Sequence, residues 1–250
     1  MILARSLLFQ LLFYAWTACL AIACLPTLIL PPSAIGAVSR LWSRANFFLL
    51  RVINRLDYRI EGVENIADRP VVYASKHQSA WDTMVFPVLL PRPAVILKRE
   101  LQLIPFYGWY AKKYGTIGID RKAGARALRA MVRDSRAALA DGRPVVVFPE
   151  GTRTAPGERR AYQSGVAALY SSLDVPVVPV ALNSGLYWSR RSVLRKPGTI
   201  VLRFLPAIPP GLARGDFMAR LEAAIEAAQA ELTGKGSIGA REAPSRQTAG

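Results

Sequence analysis

The only histidine of the chain, His77, stands five residues before an aspartate, Asp82, in the stretch SKHQSAWD. A carboxylate that accepts an imidazole N–H sets the tautomer and orientation of the ring and stabilises imidazolium. The other ring nitrogen is then left to take a proton. A single histidine excludes a multi-histidine metal site. On a regular helix, positions i and i+5 point about 140° apart. His77 and Asp82 therefore meet only if His77 lies in a turn ahead of a helix. The plainer reading is a pair that caps a helix or fills a core.

A second group of residues lies downstream, in FPEGTR (Phe148 to Arg153). Gly151 permits close backbone approach, and Arg153 offers a planar fork that suits a phosphate. Between the two stretches lie LKREL, with Lys98, and GTIGIDR, with Arg121. Each stretch ends or follows a short apolar run that reads as a strand: residues 70–75, 94–98, 115–119 and 144–148. Open α/β sheets bind ligands beyond the carboxyl ends of their strands. An arginine in a turn is ordinarily just solvated. The succession of such groups at strand ends is what points to a site.

The elements that must position these residues alternate between strand and helix. Residues 175–182 and 198–205 read as further strands, with Pro179 marking an edge, a bulge or a strand end. Residues 123–142 read as a helix closed by glycine. Residues 216–232 read as an amphipathic helix with Phe217, Leu221, Ile225, Ala228 and Leu232 on one face. The pattern predicts an α/β fold over residues 57–233, a mostly parallel sheet flanked by helices. The tail, 234–250, is Gly, Ser, Ala and charge and reads as disordered.

Ahead of this domain, Leu7 to Leu25 carry no charge in nineteen residues. As a helix they span about 28 Å, close to the thickness of a bilayer core. The run is longer than most signal-peptide cores, and Pro26, Pro31 and Pro32 end it. From Ser33 to Leu56 the pattern changes. Arg40, Arg44, Arg51 and Arg55 fall within about 60° of one another on a helix. Val38, Leu41, Trp42, Ala45, Phe48, Leu49, Val52 and Leu56 take the opposite side, and Phe47 is a misfit among the arginines. This reads as a basic amphipathic helix on an anionic membrane surface. A helix packed on the core with a solvated arginine stripe is the alternative, and the two are compatible. Residues 1–56 thus form the predicted membrane-anchoring element. One arginine before the apolar run and four after it place the rest of the chain on the cytoplasmic side of the inner or plasma membrane.

Lys and Arg outnumber Asp and Glu by 33 to 17, a net charge of +16. Such an excess favours an anionic lipid, an acidic substrate or a nucleic acid as partner. No recognised nucleic-acid-binding motif is present, so no nucleic-acid partner is predicted. Cys19 and Cys24, the only cysteines, give no disulfide framework and no metal spacing.

In combination and in order, these motifs resemble the lysophospholipid acyltransferase family, specifically the 1-acyl-glycerol-3-phosphate acyltransferases. The family's His-x4-Asp motif is matched by His77 and Asp82. Its Lys-x-Glu-Leu block is similar to Lys98, Glu100, Leu101, Pro105, Gly108, Gly115, Ile117 and Arg121. Its Phe-Pro-Glu-Gly-x-Arg motif is matched at Phe148 to Gly151 and Arg153, and VPVVPVAL resembles its proline-containing fourth motif. The resemblance covers residues 57–205. It implies a glycerolphosphate acyltransferase-like fold and transfer of an acyl chain from acyl-CoA or acyl carrier protein to the 2-hydroxyl of lysophosphatidic acid, giving phosphatidic acid. His77 would be the general base and Asp82 its orienting partner, with direct attack on the thioester. Lys98, Arg121 and Arg153 would hold the phosphate. Glu150 would position the acceptor, and Gly151 with Thr152 would supply backbone geometry and polarise the carbonyl. No metal and no cofactor beyond the acyl donor is expected. Another lyso-acceptor, such as a lyso-ornithine lipid or another lysophospholipid, is the alternative within the family. A serine esterase would need Ser164 or Ser184 as nucleophile, and neither lies in a G-x-S-x-G elbow. Replacing either serine should then leave acyl transfer largely intact.

Overall fold

The computed structural model describes residues 1–238. Helix α1 (Ile2–Ala23) ends ahead of Pro26, and α2 (Pro32–Leu49) begins on a proline, whose missing N–H costs nothing in a first turn. One π-helical turn, Leu50–Asn54, extends α2, and Arg55 in the left-handed conformation stops it. Then follow β1 (Leu56–Glu61), β2 (Val72–Ser75), α3 (Trp81–Leu89), β3 (Ala94–Lys98), α4 (Tyr107–Tyr114), β4 (Ile117–Ile119) and α5 (Gly124–Ala140). The chain continues with β5 (Val145–Val147), α6 (Ser164–Leu173), β6 (Val177–Leu182), β7 (Gly198–Phe204) and α7 (Arg214–Ile238).

The seven strands form one sheet in the order β1-β7-β6-β2-β5-β3-β4. All neighbours are parallel except β6 and β7. The mostly parallel sheet predicted from the alternation is therefore the observed one. The strands that precede the four motifs, β2, β5, β3 and β4, are adjacent and parallel. Their carboxyl ends lie along one edge, and so do the residues that follow them.

Side chains alternate across the sheet, so β2 serves two cores. Tyr73 joins Phe9 of α1, Phe47 and Leu50 of the α2 segment, and Trp81 and Phe86 of α3 on one face. Val72 and Ala74 join Met131 of α5, Leu169 of α6, and Phe217, Leu221 and Ile225 of α7 on the other. The five predicted apolar positions of α7 are all buried.

Four sequence expectations shift. The helix expected to stop at residue 232 runs to Ile238, past the predicted start of the tail at 234, and residues 239–250 lie outside the described residues. The strand expected over 115–119 is only Ile117–Ile119, because Gly115 with φ +85° is the left-handed cap of α4. Pro179 lies in an interior strand, where pairing with β7 begins only at Val180. Its carbonyl accepts from Leu205 on that side, and antiparallel pairing resumes at Val177 and Ile208 with one extra residue on the partner side. The missing N–H thus falls at a bulge, and the edge and strand-end readings drop out.

The fourth shift concerns residues 1–56, where the alternative of a helix packed on the core is the one observed: these residues share a core with the α/β domain. Phe47, the misfit of the arginine face, is buried at 5.0 Å from the Tyr58 ring and 5.6 Å from Trp81. Leu41, Phe48 and Val52, from the apolar face, point outward with 52%, 64% and 60% exposure. Helix α1 is the one described helix long and apolar enough to cross a membrane.

Candidate active site

His77 lies in the turn between β2 and α3, and Asp82 lies in the first turn of α3, as the spacing requires. His77 Nδ1 stands 3.0 Å from Asp82 Oδ2. The Asp82 side chain is fully buried and is surrounded by donors. Oδ2 accepts the N–H groups of Gln78 at 2.6 Å and Ser79 at 2.8 Å. Oδ1 accepts the hydroxyls of Ser79 at 3.1 Å and Ser184 at 2.5 Å. A carboxylate that meets only donors acts as an acceptor throughout. Nδ1 of His77 therefore carries the proton, and Nε2 keeps the lone pair. The ring stacks on Phe148 at 4.1 Å and its side chain is 12% exposed, on the wall of a large cavity.

The same cavity, about 1480 Å³, is lined by Lys98, Arg121, Gly151, Thr152 and Arg153. Its remaining wall is largely apolar and comes from α1, α2, α4, α5 and α6. Gly151 adopts φ +67°, and a Cβ there would stand 3.7 Å from the Arg121 guanidinium. The basic group after β4 thus meets the turn after β5. Burial pulls the Arg153 guanidinium below its ordinary value, and the charge of Asp82 opposes that shift. Lys98 pairs with Glu100 at 3.2 Å, and both side chains are half exposed at the rim. Gly108 has a packing role, since a Cβ there would overlap the Gln102 backbone.

Two expected roles are corrected. Glu150 does not face an acceptor: its side chain has no exposure and is absent from the cavity wall. Oε2 accepts the backbone N–H of His77 at 3.1 Å. Oε1 accepts Lys76 Nζ at 2.6 Å and the Thr154 hydroxyl at 2.9 Å. Glu150 therefore holds the turn that carries His77. The N–H of Gly151 donates to the Phe148 carbonyl at 2.9 Å, so it is not free to polarise a substrate carbonyl.

The residues that complete this framework went unremarked in the sequence. Lys76 continues the alternation of Val72 and Ala74, so its side chain passes under α7 while His77 turns to the cavity. Its ammonium, in a side chain only 1% exposed, also meets Glu226 of α7 at 2.6 Å. The Tyr162 hydroxyl donates to the same Glu226 oxygen at 3.1 Å. Burial, with Glu226 and Glu150 nearby, pushes the Tyr162 phenol far up, so it stays a donor. The N–H of Thr154 donates to the His77 carbonyl at 2.8 Å, which ties FPEGTR to the histidine turn. A lysine directly after the short β-branched run of β2 was the one available signal.

Ser184 does not approach His77 as a nucleophile would, since its buried hydroxyl is given to Asp82. This changes the expectation for its replacement. Ser184→Ala leaves one oxygen of a buried carboxylate short of a donor. A hydrogen bond to a charged group is worth about 1.5–3 kcal/mol, so kcat/KM should fall on the order of tenfold or more. Steady-state kinetics check this, and wild-type rates in the variant would remove Ser184 from the dyad's support.

Comparison with known proteins bears on this geometry. Residues 57–183 match the sequence model of the family described as acyltransferase. The chain is 36% identical over 167 residues to a 1-acyl-sn-glycerol-3-phosphate acyltransferase of Pseudomonas aeruginosa, covering 67% of this chain and 65% of that one. It is 28% identical over 170 residues to the protein of the same name from Saccharomyces cerevisiae, covering 66% of this chain and 56% of that one. The chain thus spans less than two thirds of the length of each of these relatives. In three dimensions it resembles the crystal structure of a 1-acyl-sn-glycerophosphate (LPA) acyltransferase from Thermotoga maritima. The TM-score is 0.77 at 23% identity, covering 98% of this chain and all of that one. That likeness establishes the fold.

Proposed function

This chain belongs to the acyltransferase family, and from that premise we propose that it acylates the 2-hydroxyl of lysophosphatidic acid from a thioester donor, giving phosphatidic acid. The observation that carries the reading is one cavity wall that holds both a histidine–aspartate dyad and the arginines 121 and 153. An alcohol is almost wholly protonated near neutrality, so a positioned base helps it attack. In this reading Nε2 of His77 takes the hydroxyl proton as the oxygen attacks the thioester carbon. The C–S bond breaks, and the leaving thiolate recovers the proton from imidazolium. Asp82 orients the ring and stabilises its charged form. Arg121 and Arg153, with Lys98 at the rim, receive the phosphate, and the apolar wall receives the acyl chain. The donor in this reading is acyl-CoA or acyl carrier protein, as the family resemblance implies.

Helix α1 touches the α/β domain at both ends. The Ser6 hydroxyl oxygen accepts from the Arg195 N–H at 2.8 Å, and the Ala21 carbonyl accepts from the Tyr110 hydroxyl at 2.6 Å. A helix held to one domain along its length suits a position in the plane of a leaflet, on the cytoplasmic face as the arginine distribution favours.

The test is an acyl-transfer assay of the purified protein against a panel of lysolipids with both donors. Lysophosphatidic acid should be the best acceptor. Activity confined to an acceptor without a phosphate monoester would overturn the substrate assignment. Arg153→Ala should raise KM for the acceptor about tenfold or more, given about 1.5–3 kcal/mol for a charged hydrogen bond. Its kcat should move less. An unchanged KM would remove Arg153 from the phosphate site.

A further inference from the structure

The exposed large apolar side chains are not scattered. They fall in residues 1–52, in residues 101–109 and in residues 193–194, with Val63 the one exception among the described residues. The two segments from the α/β domain lie at opposite ends of α1. Tyr110, just after the first segment, bonds Ala21. Arg195, just after the second, bonds Ser6. Fifteen residues of helix separate those contacts, a span of about 22 Å. The outer side of α1 and the two segments therefore form one extended apolar face.

Residues that are both exposed and on the cavity wall mark where the cavity opens. Tyr14 and Ile22 of α1 are such residues, and so are Leu101, Phe106 and Tyr107. One opening of the cavity thus lies within this face, while Arg121, Gly124, Ala125, Gln163 and Ser164, also exposed on the wall, mark the rest of the rim at the starts of α5 and α6. Cations rim both segments: Lys98, Arg99 and Lys112 at one end, Arg190, Arg191 and Lys196 at the other, all exposed. No acid lies between Arg190 and Lys196; at the other end Glu100 and Asp120 pair with Lys98 and Arg99, so the excess positive charge there comes from Lys112 and Lys113.

We propose that residues 101–109 and 193–194 are membrane-contacting lobes of the α/β domain, which seat this opening of the cavity on an anionic bilayer together with α1. Apolar tips rimmed by Lys and Arg, with Phe106, Tyr107 and Trp109 at the headgroup level, match the chemistry of a bilayer interface. A second copy of this chain fits less well, because two such basic rims would repel. The inference rests on the reading that the acceptor is dissolved in the membrane. It assigns the α/β domain itself, and not α1 alone, a part in membrane contact.

The experiment uses the full chain and phosphatidylcholine vesicles with and without phosphatidylglycerol. Leu103→Glu with Trp109→Glu alters the first lobe, and Val193→Glu with Leu194→Glu alters the second. None of the four residues lines the cavity. Each double variant should bind phosphatidylglycerol vesicles about tenfold more weakly, a modest share of what two buried apolar side chains supply. Transfer to a vesicle-borne acceptor should fall in parallel, and the rate with a water-soluble short-chain acceptor should hold. Because α1 adds to vesicle binding, depth is read separately. Brominated lipid should quench the emission difference between wild type and Trp109→Phe. An unquenched Trp109 in vesicle-bound protein overturns the proposal. So does a wild-type dimer that the variants dissociate without any change in vesicle binding. Wild-type protein that shows Trp109 quenching but no acyl transfer would instead defeat the proposed function and leave the docking face standing.

Discussion

Replacing His77 with alanine should lower kcat by about 10²–10⁴-fold, the usual contribution of a positioned general base, while the protein stays folded. The imidazole faces the cavity, and among the described residues it bonds Asp82 and stacks on the Phe148 ring. Losing them should cost on the order of 1 kcal/mol, or about 2–4 °C in Tm for a chain of this size. The split between rate and stability is the diagnostic. Asp82→Asn should be nearly as damaging to rate and worse for stability. Its amide would turn a donor toward groups that are themselves donors: the Gln78 and Ser79 N–H groups, or the hydroxyls of Ser79 and Ser184. Single-turnover acyl transfer and thermal melts in detergent measure both effects. Full activity in His77→Ala would refute the mechanism. A collapse of Tm in that variant would return His77 to the role of a core residue.

Lys76→Met should destabilise the protein by about 3–5 kcal/mol, the usual result of removing one partner from a buried ion pair. That corresponds to a fall in Tm on the order of 10 °C. The ammonium is the shared partner of Glu150 and Glu226, each at 2.6 Å. Without it two carboxylates face each other under α7 with only Thr154, Tyr162 and a backbone N–H as donors. Adding Glu150→Gln and Glu226→Gln removes the repulsion and should recover much of the lost Tm. Activity should recover less, because the Glu150 carboxylate anchors the His77 N–H from below. Thermal melts of the single and triple variants decide the matter. A single variant as stable as wild type would show that the cluster carries little energy.

The parts of the site that were legible in the sequence are those whose geometry is local. Asp82 reaches His77 through one turn, so the spacing already gave the condition under which the two could meet. Gly151 and Arg153 lie within a single turn, and Arg121 follows its own short strand. The parallel sheet was equally legible, because β-branched runs and helical runs alternate. What was misread depends on contacts across the chain. Glu150 looked like a substrate ligand because its neighbours in sequence, Gly151 to Arg153, line the cavity. Its partners are Lys76, 74 residues away in sequence, and the His77 backbone. Ser184 looked like a spare hydroxyl until β6 brought it to Asp82. Phe47 looked misplaced because helical periodicity describes one helix and not the Tyr58 and Trp81 rings that cover it.

By itself the sequence determined which groups could react, the strand-end placement of each motif, and the basic, apolar character of the first 56 residues. The tertiary structure alone decided which side of the His77 turn each charge would occupy. Lys76 and His77 are adjacent, yet the strand's alternation sends one to a buried pair of carboxylates and the other to the cavity. It also decided that the N-terminal helices share a core with the domain and frame one opening of its cavity. The reason is physical: side-chain direction along a strand is local, but the partner met in that direction depends on how the layers pack.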